Sequence, residues 1–585
     1  METLDVIVIG AGWNGLAALK TYHQVHPSAS IALFDSADSV GGVWAKHRLY
    51  VGLKSNNMLG TYEFSDFPMD KSFGVQPGQH IPGTVIQDYL TRYVEHFQLT
   101  AFIRLNTRVR VVEHHSDGTW TLTIDEHDQE KTVVSKKLIV CTGITSQPYR
   151  PVFTGENTFQ GPLFHSCDLP QYQDDLLKAD MRITVFGGTK SAWDTVYAAA
   201  TAGAHVDWII RDNGHGPVWM APAYVTPLKK RLEHLVTTRL LTWFSPCIWG
   251  FADGCTTIRT LLHGTWLGRK IVDAFWSILA DDVIQLNQYD AHPEIRKLKP
   301  WISPFWVASG LSILNYPTNF FDLITDGHVH IHIDHISHLT PNTVHLASGT
   351  SLPSNGLISA TGWEATPAIL FRPGNLDQAL GFPESPDPIP ESVVQHASAE
   401  ILHRFPRLAT PPPTPDTYRP LAPDAPAAAK HPFRLARFMI PPTLDDRSIA
   451  FMGIAMTINT SLLAQTQALW IAAYFGDDLT PTATEPCPAA IRPTLAERTR
   501  DPDRLWETTL HTQFGVHRCP GGLGNRNPDF VFDALAYVDL LLRDLGLDFA
   551  RKGALKWLEP YGVEDYRGLV EEWVAAREAR VKKMI

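Results

Sequence analysis

The strongest constraint on the fold is a strand that runs straight into closely spaced glycines at the N-terminus. Residues 5–9 (DVIVI) are a short β-branched run, 10–15 read GAGWNG, and 16–24 (LAALKTYHQ) have helical composition. Strand, glycine turn and helix in that order make the first half of a dinucleotide-binding βαβ unit. The G-x-G-x-x-G spacing puts Gly10 at the tight turn, Gly12 where backbone approaches a pyrophosphate, and Gly15 where helix and strand pack closely. The helix N-terminus then turns its free N–H groups toward the phosphates. A second strand at 30–34 ends in Asp35, twenty residues after Gly15, where a carboxylate accepts hydrogen bonds from a ribose hydroxyl.

The pattern recurs. Residues 182–186 (RITVF) enter Gly187, Gly188, Thr189, Lys190, Ser191 and Ala192, followed by a helical run, WDTVYAAATA. This matches G-x-G-x-x-A, except that Thr189 stands where the middle glycine is expected. The following strand, 205–210 (HVDWII), ends in Arg211, so a positive charge occupies the place of the ribose acceptor and favours the 2′-phosphate of NADPH over NADH. Lys190 is expected to add to the same pocket. Two apolar strands end in T-G, at Thr142-Gly143 and Thr361-Gly362, one before and one after the second glycine turn. That placement predicts that the second nucleotide unit is inserted within the first.

At 585 residues the chain is several domain lengths long, and 44% hydrophobic with 19% charged residues describes a globular protein with large cores. A net charge of −11 without a basic cluster excludes nucleic acid as an expected partner. None of the six cysteines forms a C-x-x-C pair, which argues against a disulfide framework, a structural zinc site or a dithiol redox centre, and for a reducing, cytoplasmic setting. No basic segment followed by an apolar stretch opens the chain, so no signal peptide is expected. The most apolar stretch, 240–254, is broken by Ser245, Pro246 and Asp253, well short of the roughly 20 residues a membrane span needs. A loose membrane contact there stays open, and no feature assigns an oligomeric state.

Downstream of Asp35, residues 39–44 read SVGGVW. Asp35 with Gly41, Gly42 and Trp44 resembles the FAD-binding start of the class B flavin-dependent monooxygenases, which include N- and S-oxygenating flavoproteins and Baeyer–Villiger enzymes. Residues 159–165 (FQGPLFH) match that family's F-x-G-x-x-x-H fingerprint and end in His165; Leu169 and Pro170 then stand where the family usually carries an aromatic. A disulfide reductase, the competing two-nucleotide flavoprotein, wants a redox cysteine pair soon after this point, and none is present. The resemblance runs from about 10 to 475. It implies an α/β fold of two Rossmann-like domains that bind FAD and NADPH. Thr142, Gly143, Thr361 and Gly362 touch cofactor at the crossings, His165 serves the link between domains, and Gln465 packs near the flavin. The implied division is an FAD domain at 1–160 and 346–480, an NADPH domain at 161–345 with a helical insertion at about 224–286, and a helical extension at 481–585. A Pro-rich connection falls at 405–432.

Residues 54–68 (KSNNMLGTYEFSDFP) carry the S-D-F-P of the N- and S-oxygenating branch, and counting back without a gap puts Asn56 on that branch's active-site asparagine. Baeyer–Villiger enzymes usually have aspartate there, orienting an essential arginine, and this chain has Lys299-Pro300 where they have Arg-Pro. The resemblance therefore implies a C4a-hydroperoxyflavin, made with NADPH and O2, that oxygenates nitrogen, sulfur or an activated carbon of a small-molecule substrate. Asn56, with Asn57 beside it, is the candidate hydrogen-bonding residue; a plain loop asparagine making an Asx turn is the competing reading. Two alternatives stand: a Baeyer–Villiger enzyme acting on a ketone, and a flavin-fold protein that has lost oxygenation and steers a rearrangement or binds ligand. The insertion (Trp243, Trp249, Trp266, Trp276) and the extension (Trp506, Trp557, Trp573) are expected to be helical, either covering the cleft for a bulky apolar substrate of specialised metabolism or packing as ordinary core. In 328–338 (HVHIHIDHISH) the alternation of histidine with β-branched residues describes a half-buried strand, and no metal site is expected.

Overall fold

The computed structural model of the protein describes residues 1–225, 229–307, 310–413, 416, 418, 419, 428–480, 485–553 and 556–584. The centre of the Pro-rich connection (414, 415, 417 and 420–427) lies outside them. The N-terminal strand Glu2–Ile9 forms the middle of an eight-stranded sheet, pairing in parallel with Ile31–Phe34 on one side and Gln129–Val140 on the other. Val6, Ile7 and Val8 are fully buried, because a parallel strand covered on both faces needs a continuous apolar run. Later chain returns to this sheet through Leu370–Arg372 and Ile449–Phe451.

A second, five-stranded sheet is parallel throughout, in the order Val329–Ile333, His205–Ile210, Arg182–Phe186, Gly356–Ser359, Leu163–His165. Its strands all come from between the early and late strands of the first sheet, so the α/β architecture is nested. The strand Gly356–Ser359 pairs with Arg182–Phe186 and so sits inside the second sheet, not in the returning segment that begins at 346. In Val329–Ile333 the alternation reads as expected: Val329 and Ile331 are buried, His330 is exposed, and His332 meets Asp207 at 2.8 Å.

The insertion is mostly helical (Arg239–Phe244, Thr256–Gly264, Trp266–Asn287), as is the C-terminal extension (Pro502–Arg518, Ala534–Asp544, Leu569–Met584). The two share one core with the first sheet. The Trp249 ring lies 5.3 Å from both Phe438 and Phe530, Trp276 lies 4.8 Å from Phe532, and Arg239 of the insertion is paired with Asp539 of the extension. Trp249, Trp276, Trp506 and Trp573 are therefore packing residues, while Trp266 is 68% exposed; none of the seven tryptophans of these segments lines either of the two large clefts, and Trp249 borders a cavity of only about 20 Å³. The apolar stretch at 240–254 is interior too: Leu241, Ile248 and Trp249 are buried, which removes it as a membrane-facing surface. Among the described residues no helix is long and apolar enough to cross a membrane.

Candidate functional site: two clefts with a shared wall

The first glycine turn opens onto a cleft of about 530 Å³. Gly10 has φ +108°, and a Cβ there would sit 2.6 Å from the Cys141 carbonyl oxygen; a Cβ on Gly15 would sit 1.7 Å from the Gly10 oxygen. Neither position admits a side chain. Gly12 and Gly42 face each other across the cleft floor, where a Cβ on Gly42 would come within 3.0 Å of the Gly12 Cα. Asp35 lines the cleft, accepting the Ala11 N–H at 2.6 Å and the Ala37 N–H at 2.8 Å, with lone pairs left over for a ribose. Burial pushes its pKa up, and the two N–H donors oppose that shift. Thr142 and Gly143 form the opposite lip. Such a cradle fits FAD: bare backbone where a pyrophosphate lies and a carboxylate where its ribose lies.

The second glycine turn opens onto a cleft of about 560 Å³, lined by Gly187, Gly188, Thr189, Arg211, Thr361 and Gly362 among others. Gly187 has φ +142°, and a Cβ there would meet the Ala360 oxygen at 2.3 Å, while a Cβ on Gly188 would meet the Gly216 oxygen at 2.9 Å. Thr189 is exposed at the helix start, so its side chain does not obstruct the turn. Arg211 is exposed within the cleft, beside His215. Burial, then Arg211 and Arg526, push the His215 pKa down to about 4, so this imidazole is neutral and the local field is positive.

Seven of the expected residues line neither cleft: Gly15 is packed against the Gly10 carbonyl, and the other six each have an identifiable reason. The Lys190 ammonium is satisfied by Asp194, by Asn315 Oδ1 at 3.0 Å and by the Tyr316 ring and hydroxyl, which turn it away from the pocket. Ser191 lies on the exposed outer face of the same helix. The Trp44 indole donates to the Tyr62 hydroxyl (3.1 Å) and backs the cleft without forming its surface. Gln465 holds the S-D-F-P segment, accepting from the Ser65 N–H and donating to Asp66, each at 2.9 Å; Gln467, two residues along the same helix Thr460–Phe475, is the glutamine that reaches the first cleft. His165 is 1% exposed, with its ring edge-on to Trp363 at 4.9 Å, and burial pushes its pKa down to about 4. Its imidazole is therefore neutral and packed against Trp363. Asn56 lies on Lys54–Met58 and donates to Ser312 Oγ at 3.2 Å.

Sequence reasoning missed three residues whose roles depend on distant contacts. Arg48 lines the first cleft, donates to the Thr145 carbonyl (2.9 Å), and lies 4.8 Å over the Trp363 ring; burial lowers its pKa. Trp363 directly follows Thr361 and Gly362 of the second cleft, so the Arg48–Trp363 contact links a lining residue of the first cleft to the chain that lines the second, although Trp363 itself lines neither. Glu233, from the insertion, is buried behind the strand Lys54–Met58 and accepts from Asn57 Nδ2 (3.3 Å), the Met58 N–H (3.1 Å) and Thr61 Oγ1 (2.8 Å). Arg526, from the extension, lines the second cleft and donates to the Trp363 carbonyl. Only the G-G-L-G run at 521–524 hinted at a functional loop there.

Two glycine-turn clefts linked by the Arg48–Trp363 contact suit a two-dinucleotide flavoprotein, and comparison with known proteins gives its class. The flavin-binding monooxygenase-like family matches residues 3–218. An FAD-dependent monooxygenase of Aspergillus nomiae is 34% identical over 603 aligned residues, covering 98% of this chain and 98% of that protein. One of Aspergillus sclerotiorum is 33% identical over 605, covering 98% and 99%. The chain belongs to the FAD-dependent, class B flavin monooxygenase family. Among solved structures, NADP+-bound cyclohexanone monooxygenase from Rhodococcus sp. Phi1 shares the fold with a TM-score of 0.58 at 17% identity, covering 98% of each chain. S-allyl-L-cysteine S-oxygenase from Allium sativum does so with a TM-score of 0.53 at 15%, covering 99% of this chain and 94% of the other.

Proposed function

We propose that the protein is an NADPH- and O2-dependent monooxygenase that inserts one oxygen atom into a bulky, apolar small molecule at nitrogen, sulfur or an activated carbon, in a specialised biosynthetic step. The observation that carries this reading is the link between the clefts: Arg48 of the cleft that suits FAD lies over Trp363, the residue that follows Thr361 and Gly362 of the cleft that suits NADPH, which supports the adjacency that hydride transfer between two nucleotides requires. Bound FAD supplies the hydride acceptor and the oxygen-activating ring. The chain's own residues do the rest. Gly10, Gly12 and Gly42 bring bare backbone to the pyrophosphate and Asp35 takes the ribose. Gly187 and Gly188 serve the second pyrophosphate, and Arg211 the 2′-phosphate. Asn56 and Asn57 point hydrogen-bonding groups from one strand, and the packed insertion and extension keep bulk water from the joint.

The nested sheets support a division into an FAD unit at 1–160 and about 363–480, an NADPH unit at 161 to about 362 carrying the helical insertion, and an extension at 481–585. Against the ketone-oxidising alternative, Lys299 is turned outward and paired with Asp290 at 2.9 Å, so no cation enters the second cleft from that position. The test is incubation with NADPH, isotopically labelled dioxygen and panels of amines, sulfides and ketones. One labelled oxygen in an N- or S-oxide or hydroxylated product supports the reading; a labelled ester from a ketone replaces it with the Baeyer–Villiger one.

A further inference from the structure

We infer that Arg526, carried by the C-terminal extension outside both nucleotide units, grips the nicotinamide-side half of the dinucleotide in the second cleft. The inference rests on the NADPH reading of that cleft and names a residue for it. In the five-stranded sheet the strand Arg182–Phe186, which feeds the glycine turn, has His205–Ile210 on one side and Gly356–Ser359 on the other. A dinucleotide laid across the strand ends therefore has its pyrophosphate at Gly187 and Gly188 and one half on each side. Arg211, at the end of His205–Ile210, holds the side on which a 2′-phosphate belongs.

The other side is where Arg526 stands. Its guanidinium lies where a Cβ on Gly362 would come within 3.7 Å of a terminal nitrogen, and it donates to the carbonyl of Trp363, whose ring meets Arg48 of the FAD cleft. Arg526 is thus at the flavin-facing end of the second cleft. It is partly buried, and among the described residues no carboxylate lies within ion-pair distance of it. Among the buried arginines of the helical core, Arg239, Arg259 and Arg437 are each held by Asp or Glu, while Arg518 is met by the Phe305 carbonyl and Ser245 Oγ. Glu384 acts on Arg526 electrostatically without forming a direct ion pair, and the guanidinium donates its hydrogen bond to a backbone carbonyl; a cation taken partly out of water in this way gains from an anion that meets it directly. Its planar donors suit a phosphate oxygen pair, and the pyrophosphate with its nicotinamide-side ribose is the anion the cleft geometry brings there.

The test compares two probes on the FAD-loaded full chain, using binding rather than turnover. NADP+ spans both sides of the glycine turn, while 2′,5′-ADP occupies the Arg211 side alone. For Arg526→Gln the dissociation constant of NADP+ should rise about ten- to hundredfold, the loss expected for one charge-assisted hydrogen-bonding group, with that of 2′,5′-ADP unchanged. For Arg211→Gln both constants should rise, and Arg526→Lys should recover part of the NADP+ affinity. Unchanged flavin content and melting temperature in Arg526→Gln show that the cleft is intact. NADP+ affinity unaltered in Arg526→Gln, or both probes weakened equally, overturns the assignment. A wild-type chain that binds neither probe overturns the nucleotide reading itself, and the assignment with it.

Discussion

Glu233→Gln is the substitution whose effect the structure specifies most closely. The carboxylate is 5% exposed; Oε2 accepts from Asn57 Nδ2, the Met58 N–H and Thr61 Oγ1, and Oε1 faces the Arg231 guanidinium. Glutamine offers one acceptor oxygen and one amide donor in place of two acceptors. If the amide nitrogen replaces Oε2, three buried donors meet a fourth; if it replaces Oε1, Arg231 loses its charge partner and meets a donor. The second arrangement is the milder, and its cost is about 1–3 kcal/mol for a donor left unsatisfied beside a lost charge. At about 2–4 °C per kcal/mol for a cooperative unit of 150–250 residues, the thermal midpoint should fall by several degrees. The assay is thermal unfolding followed by circular dichroism, with the Glu233→Asp variant as a charge-retaining control. A midpoint shift within about 1 °C, the size of an ordinary surface substitution, refutes the reasoning.

Gly15→Ala should abolish flavin retention, because the new Cβ would fall 1.7 Å from the Gly10 carbonyl oxygen, and flavin released per chain on denaturation measures it. Asn56→Ala should raise the hydrogen peroxide formed per NADPH consumed; unchanged coupling removes Asn56 from the reaction centre. Asp539→Asn strands Arg239 in the core and should cost about 3–5 kcal/mol, read as a lower denaturant midpoint, with Arg239→Met/Asp539→Leu recovering much of it. His165 and His263 are buried with pKa values pushed down to about 4 by burial, against 6.5 when unfolded. The unfolded chain therefore binds more protons between those values, and stability should fall as pH drops from about 6.5 toward 4. His263→Gln should flatten that profile.

Where local pattern alone decides structure, the chain was readable. Gly10, Gly15 and Gly187 are legible because a strand, a turn and a helix of given spacing leave no room for a side chain, and the glycines stand where that happens. The nested order of the sheets followed from the placement of Thr142-Gly143 and Thr361-Gly362. What failed depended on which way a side chain leaves its helix. Lys190 sits at the right turn but faces Asp194, one helical turn on. Gln465 and Gln467 are about 200° apart around one helix, so the helix expected near the flavin reaches the first cleft with Gln467 while Gln465 turns to the S-D-F-P segment. The strand end at 359 was assigned to the wrong unit because an apolar strand ending in T-G looks alike in either sheet. Arg48 and Glu233 carry no local signature at all, and Arg526 has only the G-G-L-G run at 521–524 beside it. Each acquires its role from a partner more than ninety residues away, such as Thr145, Asn57 or Trp363.

The tryptophans of the insertion and the extension were readable as abundant but not as placed. Trp249 and Trp276 close a core between the two segments, and what enters the second cleft from the extension is the loop with Gly521, Gly522 and Arg526. The additions therefore meet the second cleft through that loop and not through their tryptophans.

The central claim is that the two clefts hold FAD and NADPH close enough to exchange a hydride. Its most direct test is to add NADPH to the FAD-loaded protein under nitrogen while recording the visible flavin absorbance. The account predicts bleaching, followed by recovery of the oxidised spectrum when oxygen is admitted. A flavin that stays yellow with NADPH in excess contradicts it.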